Sequence, residues 1–189
     1  MKTFMKLFVA TAMTFSLANA SEYKLDNSHT HVGFSVKHLM ITNVKGEFKD
    51  FGANIDFDAA SKTFKTFKAV IQTTSIDTGI EKRDNHLRSD DFFLADKYPE
   101  MTFAMTSYKD GKMTGDLTIR GITKTVVLEV EDLATIKDFE GNSRVGFALS
   151  GKINRMDYDL KWNKALELGG VAVGEEVKLT AEVEAVEAK

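Results

Sequence analysis

Apolar residues return at every second position through most of the chain. Val32, Phe34 and Val36 alternate with Gly33, Ser35 and Lys37. Phe51, Ala53, Ile55 and Phe57 alternate with Gly52, Asn54 and Asp56. The same rhythm runs through Met101–Met105, Val126–Val130, Val145–Leu149 and Val177–Val183. Successive side chains of a strand point to opposite faces, so each run predicts a half-buried strand. Turn signals separate the runs: Asp58 to Lys62, Lys109-Asp110-Gly111-Lys112, Arg120-Gly121-Ile122-Thr123 and Glu140-Gly141-Asn142. Roughly eight strands at hairpin spacing predict an all-β antiparallel barrel or sandwich.

Two stretches break the rhythm. Between Thr78 and Leu87, Ile80, Arg83, Asp84 and Leu87 fall at helical spacing, with Asp77 or Thr78 placed to cap. Met156 to Leu168 reads as a short helix or a long loop, and Leu39 to Val44 as a helical turn. One or two short helices are therefore expected beside the sheet.

The first twenty residues follow a different pattern. Lys2 and Lys6 precede an apolar run from Leu7 to Leu17, and Ala18-Asn19-Ala20 supplies a cleavage site. This order predicts a secretory signal peptide at 1–20 and one domain at 21–189, released into a bacterial periplasm. No second apolar run is long enough for a membrane-spanning helix. Removing the two lysines takes the formal net charge from -3 to -5. Acidic and basic residues are interleaved without a basic stripe, so nucleic acid is not an expected partner. With no Cys, neither disulfides nor thiolate chemistry are available.

The chain as a whole has 14 Phe and 8 Met but a single Trp. Met40, Met101, Met105, Met113 and Met156 belong to the expected mature chain. Such side chains make an ordinary β core, or they line the cavity of a hollow barrel. Periodicity does not separate the two.

Catalytic signatures are missing. No G-x-S-x-G, H-E-x-x-H, C-x-x-C or phosphate-binding glycine loop occurs. No catalytic residue, cofactor or metal is expected. His29 and His31 share one strand face and His38 falls on the other, with Val32, Phe34 and Val36. That parity points His38 inward and argues against a three-histidine metal site.

Ordered motifs from Tyr23 to Glu184 resemble the YceI-like family of secreted bacterial lipid-binding proteins. They are Tyr23-x-Leu25-Asp26-x-x-His29, Val32-Gly33-Phe34-x-Val36-x-His38-Leu39 and Val44-x-Gly46-x-Phe48. Next come Ser75-Ile76-Asp77-Thr78, then Arg83-Asp84-x-His86-Leu87-x-Ser89-x-Asp91-Phe92-Phe93, then Tyr98-Pro99-x-Met101-Thr102-Phe103. Gly115-Asp116-Leu117-Thr118-Ile119-x-Gly121-Ile122-Thr123-Lys124, Val145-Gly146-Phe147 and Ile153-Asn154-Arg155 complete the series. His31 departs from the small residue usual at that place.

The resemblance implies an eight-stranded lipocalin-like barrel, hollow and apolar inside. It implies a carrier that sequesters a polyisoprenoid, an isoprenoid quinone or a similar amphiphile. Strand parity nominates Phe34, Val36, Ile55, Phe57, Ile71, Phe93, Met101, Phe103, Met105, Ile119, Phe147 and Trp162 for the tail. His38, Arg83 and Arg155 are the candidates for a polar head, although Arg83 and Asp84 also suit a local structural pairing. An interaction module in envelope stress and an enzyme acting on a lipid are the alternatives, and a homodimer stays open.

Overall fold

Alternation becomes sheet wherever it occurs. The computed structural model describes residues 20–167 and 169–189, so the expected signal peptide lies outside the described residues except for Ala20. The strands are β1 (Ser21–Leu25), β2 (His31–His38), β3 (Thr42–Phe48), β4 (Phe51–Asp58), β5 (Thr63–Gln72) and β6 (Ile76–Asp77). Helix α1 (Glu81–Arg88) follows, then β7 (Glu100–Lys109), β8 (Lys112–Ile119), β9 (Ile122–Lys137), β10 (Ser143–Asn154) and β11 (Val173–Glu187). The ring β1-β4-β5-β7-β8-β9-β10-β11 closes through pairing of β11 with β1. It is an eight-stranded antiparallel barrel closed on itself.

β2, β3 and β6 continue that wall. β1 and β2 both pair with β11, β4 and β3 pair with them in turn, and β5 and β6 pair with β4 and β3. Three long strands are thus each interrupted once: at 26–30, at Lys49-Asp50, and at the 3-10 turn Thr73–Ser75. At the third interruption the wall splits. β5 stays with β7, while β6 leaves with β3, and α1 follows in the chain that crosses back to β7.

Up-and-down order assigns the connections to two ends. The β2–β3 turn, α1, the Arg120-Gly121 turn and residues 155–172 cap one end. The turns at 59–62, 110–111 and 138–142 close the other. That far end is packed solid. Tyr23, Phe57, Phe64 and Phe147 form a chain of rings, with centroids 5.9 Å apart for Tyr23–Phe57 and 4.9 Å for both Phe57–Phe64 and Phe64–Phe147. Ile55, Met113, Val145 and Ala185 are buried with them. Outward positions of β11 carry Lys178, Glu182 and Glu184. Among the described residues, no helix is long and apolar enough to cross a membrane.

Several local expectations change. Leu39 to Val44 is not helical: Leu39–Ile41 form a tight turn and β3 starts at Thr42. β-pairing of His38 with Thr42 outweighs the local pattern. Neither Asp77 nor Thr78 caps α1; Ile80 precedes its first residue and gives no side-chain cap. Instead the Asp84 carboxylate accepts hydrogen bonds from the Thr78 N–H and hydroxyl, which holds the chain entering the helix. Met156 to Leu168 begins in a 3-10 turn (Arg155–Tyr158) and continues irregularly to Glu167; Leu168 lies outside the described residues.

Candidate functional site

Between the solid end and the cap lies an apolar cavity of about 140 Å³. Inward residues of every barrel strand reach it. Small side chains make the room: Ala53 and Ala69 face each other across β4 and β5, and Phe103 pairs with Ala69 on the other side. Ala181 adds a third short side chain in β11. Aromatic and aliphatic groups surround these alanines, and among the described residues only Thr30 and Thr180 contribute hydroxyls to the lining. The Thr30 hydroxyl already donates to the Glu184 carbonyl at 3.2 Å. An apolar cavity of roughly 150 Å³ takes a molecule the size of benzene. A longer chain therefore enters only as neighbouring side chains turn aside, which the unbranched Met101 does at low cost.

Of the nominated tail residues, Phe34, Ile71, Met101, Phe103 and Ile119 line this cavity. Ile55, Phe57 and Phe147 point inward but are spent in the packed end, each nearly or wholly buried. Met105 packs against that core. Phe93 and Trp162 belong to the cap, and Val36 lies beyond the cavity, half-buried toward the β2–β3 turn. Parity gives the face of a strand but not the height at which the barrel stops being filled. Leu25, Phe48, Phe51, Phe67, Leu117 and Leu128 line the space as well. Phe48 and Phe51 are three apart, so both face inward only because the strand breaks at Lys49-Asp50. In the sequence, the height of the cavity is marked by the small-residue pair at inward positions 53 and 69.

The cap is aromatic underneath and polar above. Phe93 sits edge-on to Phe48 at 6.0 Å, bringing the segment after α1 onto the lining. His86 stands edge-on to Phe92 at 5.1 Å and to Trp162 at 4.9 Å, while its Nε2 meets the Asp91 carboxylate at 2.7 Å. Arg88 donates to the carbonyls of Thr74 and Ile76, both at 2.8 Å, tying the helix to the split edge. Arg120 donates to the Phe92 carbonyl at 2.6 Å and thus ties the same segment to the β8–β9 turn.

None of the three head-group candidates reaches the cavity. Arg83 donates from Nε to the Thr78 hydroxyl at 2.7 Å and from its terminal nitrogen to the Thr78 carbonyl at 2.8 Å. Arg155 is buried and donates to the carbonyls of Gly174, Val173 and Leu160. Burial pulls its pKa below the usual guanidinium value, and three carbonyl acceptors replace its hydration. His38 is half-buried at the end of β2, between Thr42 and Val173.

The other histidines are outside. His31 Nδ1 lies 2.9 Å from Glu47, and His29 Nδ1 lies 3.1 Å from Asp26. Asp26, His29 and Glu184 come close enough to hold a metal ion. The position is taken by Arg144: it donates to Asp26 at 2.9 Å, to Glu184 at 2.6 Å and to Asp138 at 2.9 Å. One guanidinium thereby joins the break after β1 to β11 and to the β9–β10 turn. Ser28 and His29, with Arg144, hold the Asp26 carboxyl well below the usual carboxylate range, and Arg144 with Asn142 does the same for Asp138.

Comparison with known proteins follows the same outline. The profile of the YceI-like domain matches residues 23–185. A UPF0312 protein of Staphylococcus epidermidis is 41% identical over 165 residues, covering 87% of this chain and 96% of that protein. The crystal structure of a Campylobacter jejuni YceI protein superposes with a TM-score of 0.73 at 45% identity, covering 88% of this chain and 98% of that one. A polyisoprenoid binding domain from Saccharophagus degradans gives a TM-score of 0.63 over 88% of this chain and 98% of that one. At 16% identity it shares the fold.

Proposed function

This chain belongs to the YceI-like family, and on that premise we propose that its barrel binds one long apolar molecule, a polyisoprenoid or isoprenoid quinone, and carries it through the periplasm. The observation that carries the reading is the cavity itself. A wall of hydrocarbon faces inward where Ala53, Ala69 and Ala181 leave space, while the outer face of the barrel is largely polar, with Val70, Val127 and Ile136 as exposed apolar exceptions. This is the reverse of a membrane barrel, whose outer band is apolar. Each methylene moved from water into such a site contributes about 0.8 kcal/mol, so a chain of ten or more binds without a polar anchor. A solved protein of the same fold is described as a polyisoprenoid binding domain, which favours a prenyl chain over other apolar ligands. The cap accounts for entry: α1 and the loop after it cross the one place where the wall splits.

Purifying the protein from its own host, extracting it with organic solvent and weighing the extract by mass spectrometry tests the reading. A stoichiometric prenyl compound is expected. Repeated extracts without any long-chain compound would refute carriage and leave an interaction module as the better account.

A further inference from the structure

The β2–β3 turn is built against the rules of its geometry. The Ile41 N–H donates to the His38 carbonyl at 3.1 Å, closing a β-turn around Leu39 and Met40. Both central residues have positive φ, 49° and 62°. Turns of this kind favour Asn and Gly, because a bulky side chain is strained in the left-handed region. Here two large apolar residues occupy it, and both stay partly exposed. Leu39, Met40 and Ile41 are 38%, 54% and 82% exposed. Strain retained by large apolar residues that stay partly exposed points to use elsewhere.

The surroundings say what for. This turn lies at the capped end, toward which the cavity is displaced. Ile80, at the start of α1, is exposed at the same end. Lys37 and Lys164 flank the turn: Leu39 N–H donates to the Ala172 carbonyl, and Ala172 N–H donates to the Lys164 carbonyl, both at 2.9 Å. Both lysines are exposed, and among the described residues neither forms a salt bridge. A narrow, convex apolar tip offers far less area than a stable protein–protein interface needs. It matches a bilayer surface, where apolar side chains enter the acyl boundary and lysines meet anionic headgroups.

We propose that Leu39, Met40 and Ile41 form an insertion tip that docks the capped end of the barrel on an anionic phospholipid surface. The inference rests on the carrier reading, for which it supplies the place of loading and release. Docking there brings the split in the wall to the membrane, so an apolar chain passes between bilayer and cavity with little exposure to water.

The turn geometry provides a test that does not depend on damaged folding. Leu39→Asn together with Met40→Gly installs the residues the turn prefers, so this variant is expected to melt no lower than the parent. Co-sedimentation with phosphatidylglycerol–phosphatidylethanolamine vesicles is expected to fall by roughly tenfold or more. Lys37→Glu with Lys164→Glu is expected to weaken binding to these vesicles but not to purely zwitterionic ones. Solvent extracts of the parent and the turn variant, made alongside, read the carrier function separately. Vesicle binding lost in the variant supports docking even if neither extract holds a prenyl compound. Equal sedimentation of parent and variant, or no sedimentation of the parent at all, overturns it. So does a parent dimer that the variant dissolves, since a second copy then covers the tip.

Discussion

The ring of Phe34 fills the space that a side chain on Gly46 would need. A Cβ at Gly46 would stand 2.5 Å from Cζ and 2.6 Å from Cε1 of Phe34, its partner across the β2–β3 ladder. The same atom would meet Thr78 Cγ2 at 2.8 Å, so the ring is held between strand and cap. Gly46 is thus what keeps Phe34 flat against the wall rather than out in the cavity.

Gly46→Ala is expected to swing Phe34 inward. Overpacking of this kind costs about 1–3 kcal/mol. A lower melting temperature and a reduced uptake of prenyl ligand, measured on the same samples, check it. Unchanged uptake would show that Phe34 does not bound the space.

Arg144→Met should change the acid limb of stability. The Asp26 and Asp138 carboxyls are held low in the folded protein by Ser28, His29 and Arg144, and by Arg144 and Asn142. Groups with depressed folded pKa values contribute stability that is present above their unfolded value, about 4, and is lost as pH falls below it. Melting curves from pH 7 down to pH 2 should therefore drop steeply for the parent. The variant should start lower and fall less steeply. Parallel curves would remove the clamp from the account.

Tyr158 offers a test in the opposite direction. It is 1% exposed, and its hydroxyl finds no hydrogen-bond partner among the described residues. Burial, aided by Asp157, raises its pKa to about 12. A raised folded pKa gives stability that holds below the unfolded value, about 10, and declines as pH rises toward 12. Tyr158→Phe removes a buried polar atom left without a partner. The variant is expected to gain about 1 kcal/mol in urea unfolding at pH 7 and to lose the alkaline decline. A clear loss of stability would mean that the hydroxyl is engaged.

Zinc or copper should leave the melting temperature unchanged. Asp26, His29 and Glu184 are near enough to share an ion, but the Arg144 guanidinium already neutralises both carboxylates. A metal-dependent rise abolished by His29→Ala would overturn this.

The barrel was legible in the sequence because alternation survives wherever one face is wet and the other dry. Val177 to Val183 reads as β11 for that reason, with Lys178 and Glu182 outside. The breaks in the long strands were not legible. The turn at Leu39–Met40 carries none of the residues its geometry favours, and the break at Lys49-Asp50 puts Phe48 and Phe51 on one face against the simple period. Site residues followed the same division. Phe34 and Phe103 are inward by parity and line the cavity, but Phe57 and Phe147 are inward by the same parity and fill the core. What distinguishes them is height along the barrel, which depends on how rings from distant strands meet. Arg155 illustrates the limit for polar groups: its acceptors are backbone carbonyls from residues 160, 173 and 174, which no side-chain motif announces.

On the carrier reading, the space beside Ala53 and Ala69 is what holds the ligand. Ala69→Phe fills that space, and cavity filling commonly adds about 0.5–2 kcal/mol of stability. Native mass spectrometry of parent and variant, each incubated with prenyl alcohols of increasing length, tests the claim most directly. A one-to-one adduct is expected with the parent and none with an Ala69→Phe variant that melts as high or higher. Equal adducts on the two proteins would contradict it.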